Sequence, residues 1–168
     1  MPEDRPNAAQ LYRQLAPAVL GYLRSQRVPD PEDCLGDVFL SVARDLGRFA
    51  GDDASLRRWV FSIAHNRAMD AHRKASRHRS STEAERSAPG SGRDGGAASG
   101  PSEALDPALV DALASLSPDQ REVVVLRFVA DLPLEAVARI TGRRVGAVKA
   151  LQHRGLENLR RAVSSEAD

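Results

Sequence analysis

Apolar residues recur with a helical period through most of this chain. In the first such stretch they fall on one helical face, at Leu11, Leu15, Val19 and Leu23. Pro17 lies inside this stretch and predicts a kink or a break, because proline has no backbone N–H to donate within a helix. A first amphipathic helix is therefore expected to end before Pro29.

Two further helices are predicted in the first half of the chain. The second begins at Pro31 with Asp30 as its N-cap, and its apolar residues have helical spacing at Leu35, Val38, Phe39, Val42 and Leu46. After a short loop, Ser55 or Asp53 can cap the third helix. Its apolar face holds Leu56, Trp59, Val60, Ile63 and Ala64. No helix breaker follows until Ser80, so this helix is expected to continue through the basic residues up to that point.

The last third of the chain has the pattern of a helix-turn-helix. A helix opens near Asp106, with apolar residues at Leu109, Val110, Leu113 and Leu116. Ser117 and Gln120 then form a capping box, which favours a helix over a strand for the β-branched run 123–129. A short helix from Pro133, a tight turn at 141–144 and a longer helix at about 145–163 follow.

One segment interrupts this pattern. From Ser80 to Ala104 the chain has 25 residues and contains no Val, Ile, Leu, Met, Phe, Trp, Tyr or Cys. Its Gly, Ser, Pro and Ala content is typical of a flexible linker with an end-to-end span of roughly 25–30 Å. The fold class expected is all-α, with two small helical domains at 7–79 and 105–164 joined by a disordered linker at 80–104.

Composition narrows the class of protein. The chain has 168 residues, of which 42% are apolar and 28% charged, so it can bury a core. No apolar run is long enough to span a bilayer, the polar N-terminus does not resemble a secretory signal, and a single cysteine fits a reducing cytoplasm. We therefore expect a cytoplasmic protein without membrane insertion. Cys34 is either a small core residue or a redox switch, and its place beside an apolar face favours the core.

The net charge of +1 conceals an uneven distribution. Residues 57–79 and residues 136–161 each carry a net charge of +6, whereas the segments 1–56, 80–135 and 162–168 carry −3, −6 and −2. Two compact basic blocks indicate two surfaces that face a polyanion. Two solvated helix faces remain the alternative.

Four motifs resemble those of bacterial alternative sigma factors of the extracytoplasmic-function (ECF) family. Two lie in the first domain, Pro31-Glu32-Asp33 and Trp59-Val60-x-x-Ile63-Ala64-x-Asn66-x-x-x-Asp70-x-x-Arg73-Lys74. The other two are Leu116-Ser117-Pro118-x-Gln120-Arg121-Glu122-Val123 and Val145-Gly146-Ala147-Val148-Lys149. The resemblance implies a sigma factor that binds core RNA polymerase and directs promoter recognition and melting. It also implies an anti-sigma factor as a partner, no cofactor and no enzymatic activity.

The resemblance assigns two sets of residues to the first domain. The core polymerase would be bound by an acidic helix through Asp30, Glu32, Asp33, Asp37, Phe39 and Leu40. The minus-ten element would be bound by a loop that holds a flipped base and by the following helix, through Phe49, Gly51, Asp52, Ser55, Arg57, Arg58, Asn66, Arg67, Asp70, Arg73, Lys74 and Arg77. Asn66 can serve an internal hydrogen bond or DNA equally well, whereas Trp59 is expected in the core.

The second domain would bind the minus-35 element through its last helix, because the first turns of such a helix reach base edges in the major groove. The residues expected on that face are Arg143, Arg144, Ala147, Lys149, Ala150, His153 and Arg154. Either Arg143 or Arg144 can read a guanine, and Lys149 and Arg154 suit phosphate contacts. The apolar residues expected in the core are Val148, Leu151, Leu156 and Leu159. Gly155 departs from a good helix sequence and costs about 1 kcal/mol relative to alanine.

Other functions find less support in the same residues. The four histidines and Cys34 lack metal-ligand spacing, and no phosphate-binding glycine loop or nucleophile elbow is present. A helix-turn-helix regulator that acts without polymerase would leave the first domain without a purpose. A helical adaptor that binds only proteins would leave the two basic blocks unexplained.

Overall fold

A computed structural model describes residues 6–83 and 107–166, and within these two ranges the regular structure is entirely helical. The helices are α1 (Ala8–Ser25), α2 (Pro31–Asp45), α3 (Asp53–Glu83), α4 (Pro107–Ala114), α5 (Pro118–Val124), α6 (Leu134–Thr141) and α7 (Val145–Glu166). A 3-10 turn, Leu46–Arg48, follows α2, and a π-helical turn, Val125–Val129, follows α5. The all-α prediction is confirmed. The predicted linker start at residue 80 is wrong by four residues, since α3 continues to Glu83; the rest of the linker prediction lies outside the described residues.

The helix starts follow local hydrogen-bonding chemistry. Asp30 accepts a hydrogen bond from the Asp33 backbone N–H at 3.2 Å, and the Ser117–Gln120 capping box is formed, as predicted. The prediction of Ser55 or Asp53 as the cap of α3 is wrong. Asp52 caps it instead, because its carboxylate accepts the Ser55 backbone N–H at 2.8 Å. Hydrogen bonding by the Ser55 side chain, and then by its backbone N–H, lowers the pKa of Asp52.

Pro17 does not break α1, so the break, one of the two predicted effects of this proline, is not observed. The helix runs without interruption from Ala8 to Ser25, with Pro17 on its exposed side. The N–H that proline lacks would bond to the Arg13 carbonyl, and Arg13 also lies on the exposed side, where water can bond to that carbonyl. Burial of the opposite face, at Leu15 and Val19, holds the helix together.

The cores of both domains contain residues of the predicted apolar stripes, together with Tyr22 and Phe61, which the stripes did not include. The fully buried residues of the first domain include Val19, Tyr22, Leu23, Val38, Val42, Val60 and Phe61, and those of the second include Val123, Val125, Leu126, Val137 and Val148. Leu109, Val110 and Leu156, which the spacing places with the core, are 39–48% exposed. Helical periodicity predicts the side of the helix on which a residue lies. Whether that side is buried depends on how far the neighbouring helix extends over it.

The two domains pack against each other, which the sequence pattern does not predict. Helix α1 lies against α4, α5 and the π-helical turn, and α3 lies against α6. As a result, the buried residues of both domains form one continuous hydrophobic cluster. The described chain is therefore closed, with its helix-turn-helix held against the first domain.

The helix-turn-helix consists of α6, the turn 142–144 and α7. Gly142 ends α6 with a φ of +66°, a left-handed conformation that favours glycine. Further along, α7 passes close to α5 at Gly155, where a Cβ atom would lie 2.9 Å from Val124 Cγ2. Gly155 therefore allows the close approach of these two helices, which explains a glycine inside a long helix.

Substitution Gly155→Ala is expected to lower the free energy of unfolding of the second domain by about 1–2 kcal/mol. The better helix propensity of alanine, about 1 kcal/mol, is outweighed by overpacking against Val124. Chemical denaturation followed by circular dichroism measures the change. Gly146→Ala on the same helix is the matched control and should stabilise, since among the described residues no other element comes within 4 Å of a Cβ atom there. A stabilised Gly155→Ala variant would contradict the close approach.

Candidate nucleic-acid and protein interfaces

The exposed face of α2 is acidic with one large apolar residue. Asp30, Glu32, Asp33 and Asp37 are exposed, and the Leu40 side chain is 71% exposed. Arg24 bonds to Glu32 at 2.8 Å, which lowers the pKa of that carboxyl. This face of α2 therefore combines negative charge with one exposed apolar side chain.

Phe39 does not belong to this surface, contrary to the prediction from sequence. Its ring is 8% exposed and packs edge-on against Tyr12 at a centroid distance of 4.9 Å. Tyr12 itself is 46% exposed and extends the apolar part of this face. Sequence reasoning missed Tyr12, although an aromatic residue outside the apolar stripe of α1 is the signal that could have found it.

The loop 49–52 has a defined conformation and lies directly before the start of α3. Phe49 stacks on Trp59 with ring centroids 5.1 Å apart, which places Trp59 against the core as expected. A Cβ atom at Gly51 would lie 2.9 Å from the Phe49 ring, so only glycine lets the loop fold over this ring. Asp52 is occupied as the α3 cap, and Ser55, whose N–H it accepts, lies in the first turn of the helix.

The cations of α3 divide into two groups. Three of them are half-buried and bonded within the protein: Arg57 donates to the Ala130 carbonyl at 3.3 Å, Arg58 to the Ala54 carbonyl at 3.2 Å and Arg67 to Ser41 Oγ at 2.8 Å. The others, further along the helix, are exposed: Arg73, Lys74, Arg77 and Arg79. The second group therefore presents an accessible basic surface in the closed chain.

Asn66 and Asp70 lie one turn apart on the exposed side of α3. Asp70 pairs with Arg73 at 3.1 Å. Within residues 6–83 and 107–166, the Asn66 side chain makes no hydrogen bond, so the internal bond that its sequence position left open is not formed. Its amide group can therefore bond to a ligand.

Six of the seven residues predicted on the recognition face of the second domain are exposed: Arg144, Ala147, Lys149, Ala150, His153 and Arg154. Arg143 differs, because its guanidinium bonds to Asp119 on α5 at 2.7 Å and its Nε atom is buried without a partner among the described residues. Arg143 therefore fixes the turn to α5, whereas the Arg144 side chain is exposed.

The described part of the chain gives no support for metal binding or for a membrane-spanning helix. No group of three or more His, Cys, Asp and Glu side chains could hold a metal ion there, and no described helix is long and apolar enough to cross a membrane. Cys34 is 7% exposed, and burial raises the pKa of its thiol. The burial fits the core role that the sequence favoured.

These features define a two-domain helical DNA-binding protein with a helix-turn-helix in its second domain. The first domain matches the family model of sigma-70 region 2 over residues 11–78, and the second matches sigma-70, region 4 over residues 112–161. The chain belongs to the ECF family of RNA polymerase sigma factors. It is a sigma factor, a protein that directs RNA polymerase to promoters for transcription initiation.

Relatives of known identity cover both domains. The chain is 36% identical to the RNA polymerase sigma factor CarQ of Myxococcus xanthus over 154 residues, 89% of this chain and 85% of CarQ. It is 31% identical to the ECF sigma factor BldN of Streptomyces coelicolor, covering 94% of this chain and 61% of BldN. The chain thus spans about three fifths of the length of BldN.

Two solved structures share the fold. One is sigma factor RpoE in complex with the anti-sigma factor NepR from Bartonella quintana, with a TM-score of 0.72 and 23% identity over 93% of this chain and 96% of that one. The other is CnrH in complex with the cytosolic domain of CnrY, with a TM-score of 0.60 and 21% identity over 94% and 88%. Both matches extend over the two domains.

Proposed function

We propose that this sigma factor divides promoter recognition between its two basic surfaces and binds polymerase through α2. The observation that carries the proposal is the exposure of basic residues on α3 and α7, in the two domains that match sigma regions 2 and 4. The protein supplies binding energy and DNA distortion, and it carries out no reaction of its own. Its place of action is the cytoplasm, where a bacterium holds its polymerase and its promoters.

Core polymerase binds to the exposed face of α2 in this proposal. Leu40 supplies the apolar anchor, and Asp33 and Asp37 supply negative charge that attracts a basic partner surface. An apolar side chain ringed by charged residues is the usual composition of a binding hot spot and its rim. Phe39 contributes by packing beneath this surface and not by direct contact.

The minus-ten element binds to the loop 49–52 and to α3. Gly51 lets this loop fold back over the Phe49 ring, and the loop supplies a surface against which an unstacked base can be held. Asn66 and Asp70, further along the exposed side of α3, supply hydrogen-bonding groups, and Arg73, Lys74 and Arg77 contact backbone phosphates. Arg57 is bonded to the second domain, and Arg58 and Arg67 are bonded within the first, so each side chain must leave its present partner to contact DNA.

The minus-35 element binds to α7. Arg144 reads a guanine from the start of the helix, where side chains reach base edges. Lys149 and Arg154 contact phosphates, which supply affinity without sequence preference. Ala147 and Ala150 keep this face short enough for the helix to enter the groove.

An anti-sigma factor is the proposed regulatory partner. Two sigma factors with this fold were solved as complexes with such proteins, NepR and the cytosolic domain of CnrY. The shared fold over both domains supports an anti-sigma factor as a partner of this chain.

The experiment that tests the polymerase surface compares two matched double variants. Leu40→Ala with Asp37→Lys is expected to weaken binding to core polymerase at least about 10-fold, because it removes the apolar anchor and reverses one charge. Leu109→Ala with Asp111→Lys makes the same changes on exposed residues of α4 and should leave binding unchanged. Binding is measured by fluorescence anisotropy, and run-off transcription with promoter fragments follows initiation. Equal effects of the two variants would refute the assignment of α2.

A further inference from the structure

Four polar contacts cross between the two domains of the closed chain, counted over the residues that the structure describes. Glu122 on α5 accepts a hydrogen bond from the Tyr22 hydroxyl at 3.0 Å and lies 2.9 Å from His65 Nδ1. Arg121 donates to the Ser25 carbonyl at 3.2 Å, and Arg57 donates to the Ala130 carbonyl at 3.3 Å. Helix α1 also packs against α5 and the π-helical turn, and the buried apolar residues of the two domains form one cluster.

Glu122 is the centre of the most buried of these contacts. Its side chain is 9% exposed, that of His65 is 14% exposed, and Tyr22 is fully buried. Burial, and then the Glu122 charge, raise the pKa of Tyr22, so its hydroxyl keeps the proton that it donates. A carboxylate oxygen has lone pairs for two donors, and the Nδ1–H tautomer of His65 completes this pair.

Both donors to Glu122 belong to the first domain, whereas Glu122 belongs to the second. A carboxylate buried without partners is strongly unfavourable, so Glu122 can be buried here only while the first domain supplies Tyr22 and His65. On separation of the domains, water would replace these donors. The contact is therefore specific to the closed arrangement.

Arg121, the neighbouring residue, reinforces the contact from the other side. Two of its nitrogens bond to the Leu113 and Leu116 carbonyls of its own domain at 2.9 Å each. The third bonds to Ser25, the last residue of α1, whose carbonyl lies at the negative end of the helix. The adjacent residues Arg121 and Glu122 thus both bond to α1.

The closed arrangement is too short to reach both promoter elements. Helix α6 packs on α3, and α7 packs on α6, so typical interaxial distances place the axes of α7 and α3 about 20 Å apart at their closest approach, and at about 1.5 Å per residue α3 itself is only about 46 Å long. The minus-ten and minus-35 elements are about 25 base pairs apart, or about 85 Å at about 3.4 Å per base pair. In addition, Arg57 is bonded to the Ala130 carbonyl of the second domain in the closed chain, so it must leave that carbonyl to contact DNA.

We propose that Tyr22, His65 and Glu122 form an interdomain latch that holds the free sigma factor closed and unable to occupy both promoter elements. The effect of the latch on promoter binding rests on the proposed DNA-binding surfaces. The latch itself is a property of the free chain. The α2 face stays exposed in the closed form, so polymerase can bind before the domains separate.

Small-angle scattering of the free full-length protein tests the latch. Glu122→Lys places a third donor group opposite Tyr22 and His65, and it is expected to raise the radius of gyration by at least about 4 Å from the compact value near about 15–18 Å. Tyr22→Phe removes one hydroxyl without changing the shape of the ring, and it should give a smaller increase. Asp111→Asn changes an exposed carboxylate of the second domain and should leave the radius unchanged.

Circular dichroism of the same samples separates opening from unfolding. Unchanged helicity with a larger radius in both latch variants would support the proposal. An unchanged radius in Tyr22→Phe and Glu122→Lys would overturn it, and so would a doubled molecular mass of the wild type, since the contacts would then join two copies. Because scattering uses no DNA or polymerase, a wild type that failed in transcription would count against the proposed function and leave the latch intact.

Discussion

Replacing Arg121 with alanine is expected to destabilise the second domain by about 3–5 kcal/mol, a large effect for a single substitution. The guanidinium is buried and donates to the Leu113, Leu116 and Ser25 carbonyls. Each hydrogen bond from a charged group contributes about 1.5–3 kcal/mol, and each carbonyl left buried without a donor adds a penalty. Burial lowers the pKa of Arg121, yet an arginine keeps its charge in the neutral range.

Thermal and urea unfolding followed by circular dichroism measure this loss. Arg139→Ala, on the exposed side of α6, is the matched control and should change stability by less than about 0.5 kcal/mol. The α4–α5 junction should lose protection from hydrogen exchange first, because Arg121 ties the end of α4 to α5. A loss equal to that of Arg139→Ala would show that the three carbonyl contacts contribute little to stability.

The double reversal Arg73→Glu with Lys74→Glu is expected to reduce promoter-dependent transcription at least about 10-fold. Both side chains are exposed on α3, and the ion pair that Arg73 forms with Asp70 is exposed too, so folding should be unaffected. Each lost phosphate contact lowers affinity and reduces the slope of log affinity against log salt by about 1. The holoenzyme should therefore lose affinity for promoter DNA and also some of its salt dependence.

Arg13→Glu with Arg44→Glu makes the same charge change on exposed residues of α1 and α2. Binding of both holoenzymes to one promoter fragment at several salt concentrations, together with run-off transcription, gives the comparison. If the control variant loses as much affinity and as much salt slope as the α3 variant, net charge and not the α3 surface governs DNA binding.

Local features of this protein could be predicted from sequence because they depend on neighbours in the chain. The caps at Asp30 and Ser117 follow from side chains three residues away from the groups they bond. The all-α class, the helix-turn-helix and the family follow from periodicity and from motifs of fixed spacing. The Asp52 cap was missed, since Asp52, Asp53 and Ser55 all carry capping groups and only the start of the helix selects among them.

The candidate surfaces could be predicted only in part. Periodicity identified Arg143 and Arg144 together, but the contact with Asp119, 24 residues away in the chain, decided which one is free. Likewise, Phe39 and Leu40 are adjacent in a helix, and the presence of Tyr12 on α1 buries the first and leaves the second exposed. Whether such a side chain is exposed or bonded therefore depends on which helices pack against each other in the fold.

The sequence by itself determined the helices, the caps at Asp30 and Ser117, the two basic blocks and the sigma factor family, because each depends on residues a few positions apart. The tertiary structure alone decided that the two domains lie together and that Glu122 bonds to Tyr22 and His65, 100 and 57 residues away. A buried carboxylate has no local pattern that reveals its partners. Its donors are identified only when packing removes water from around it.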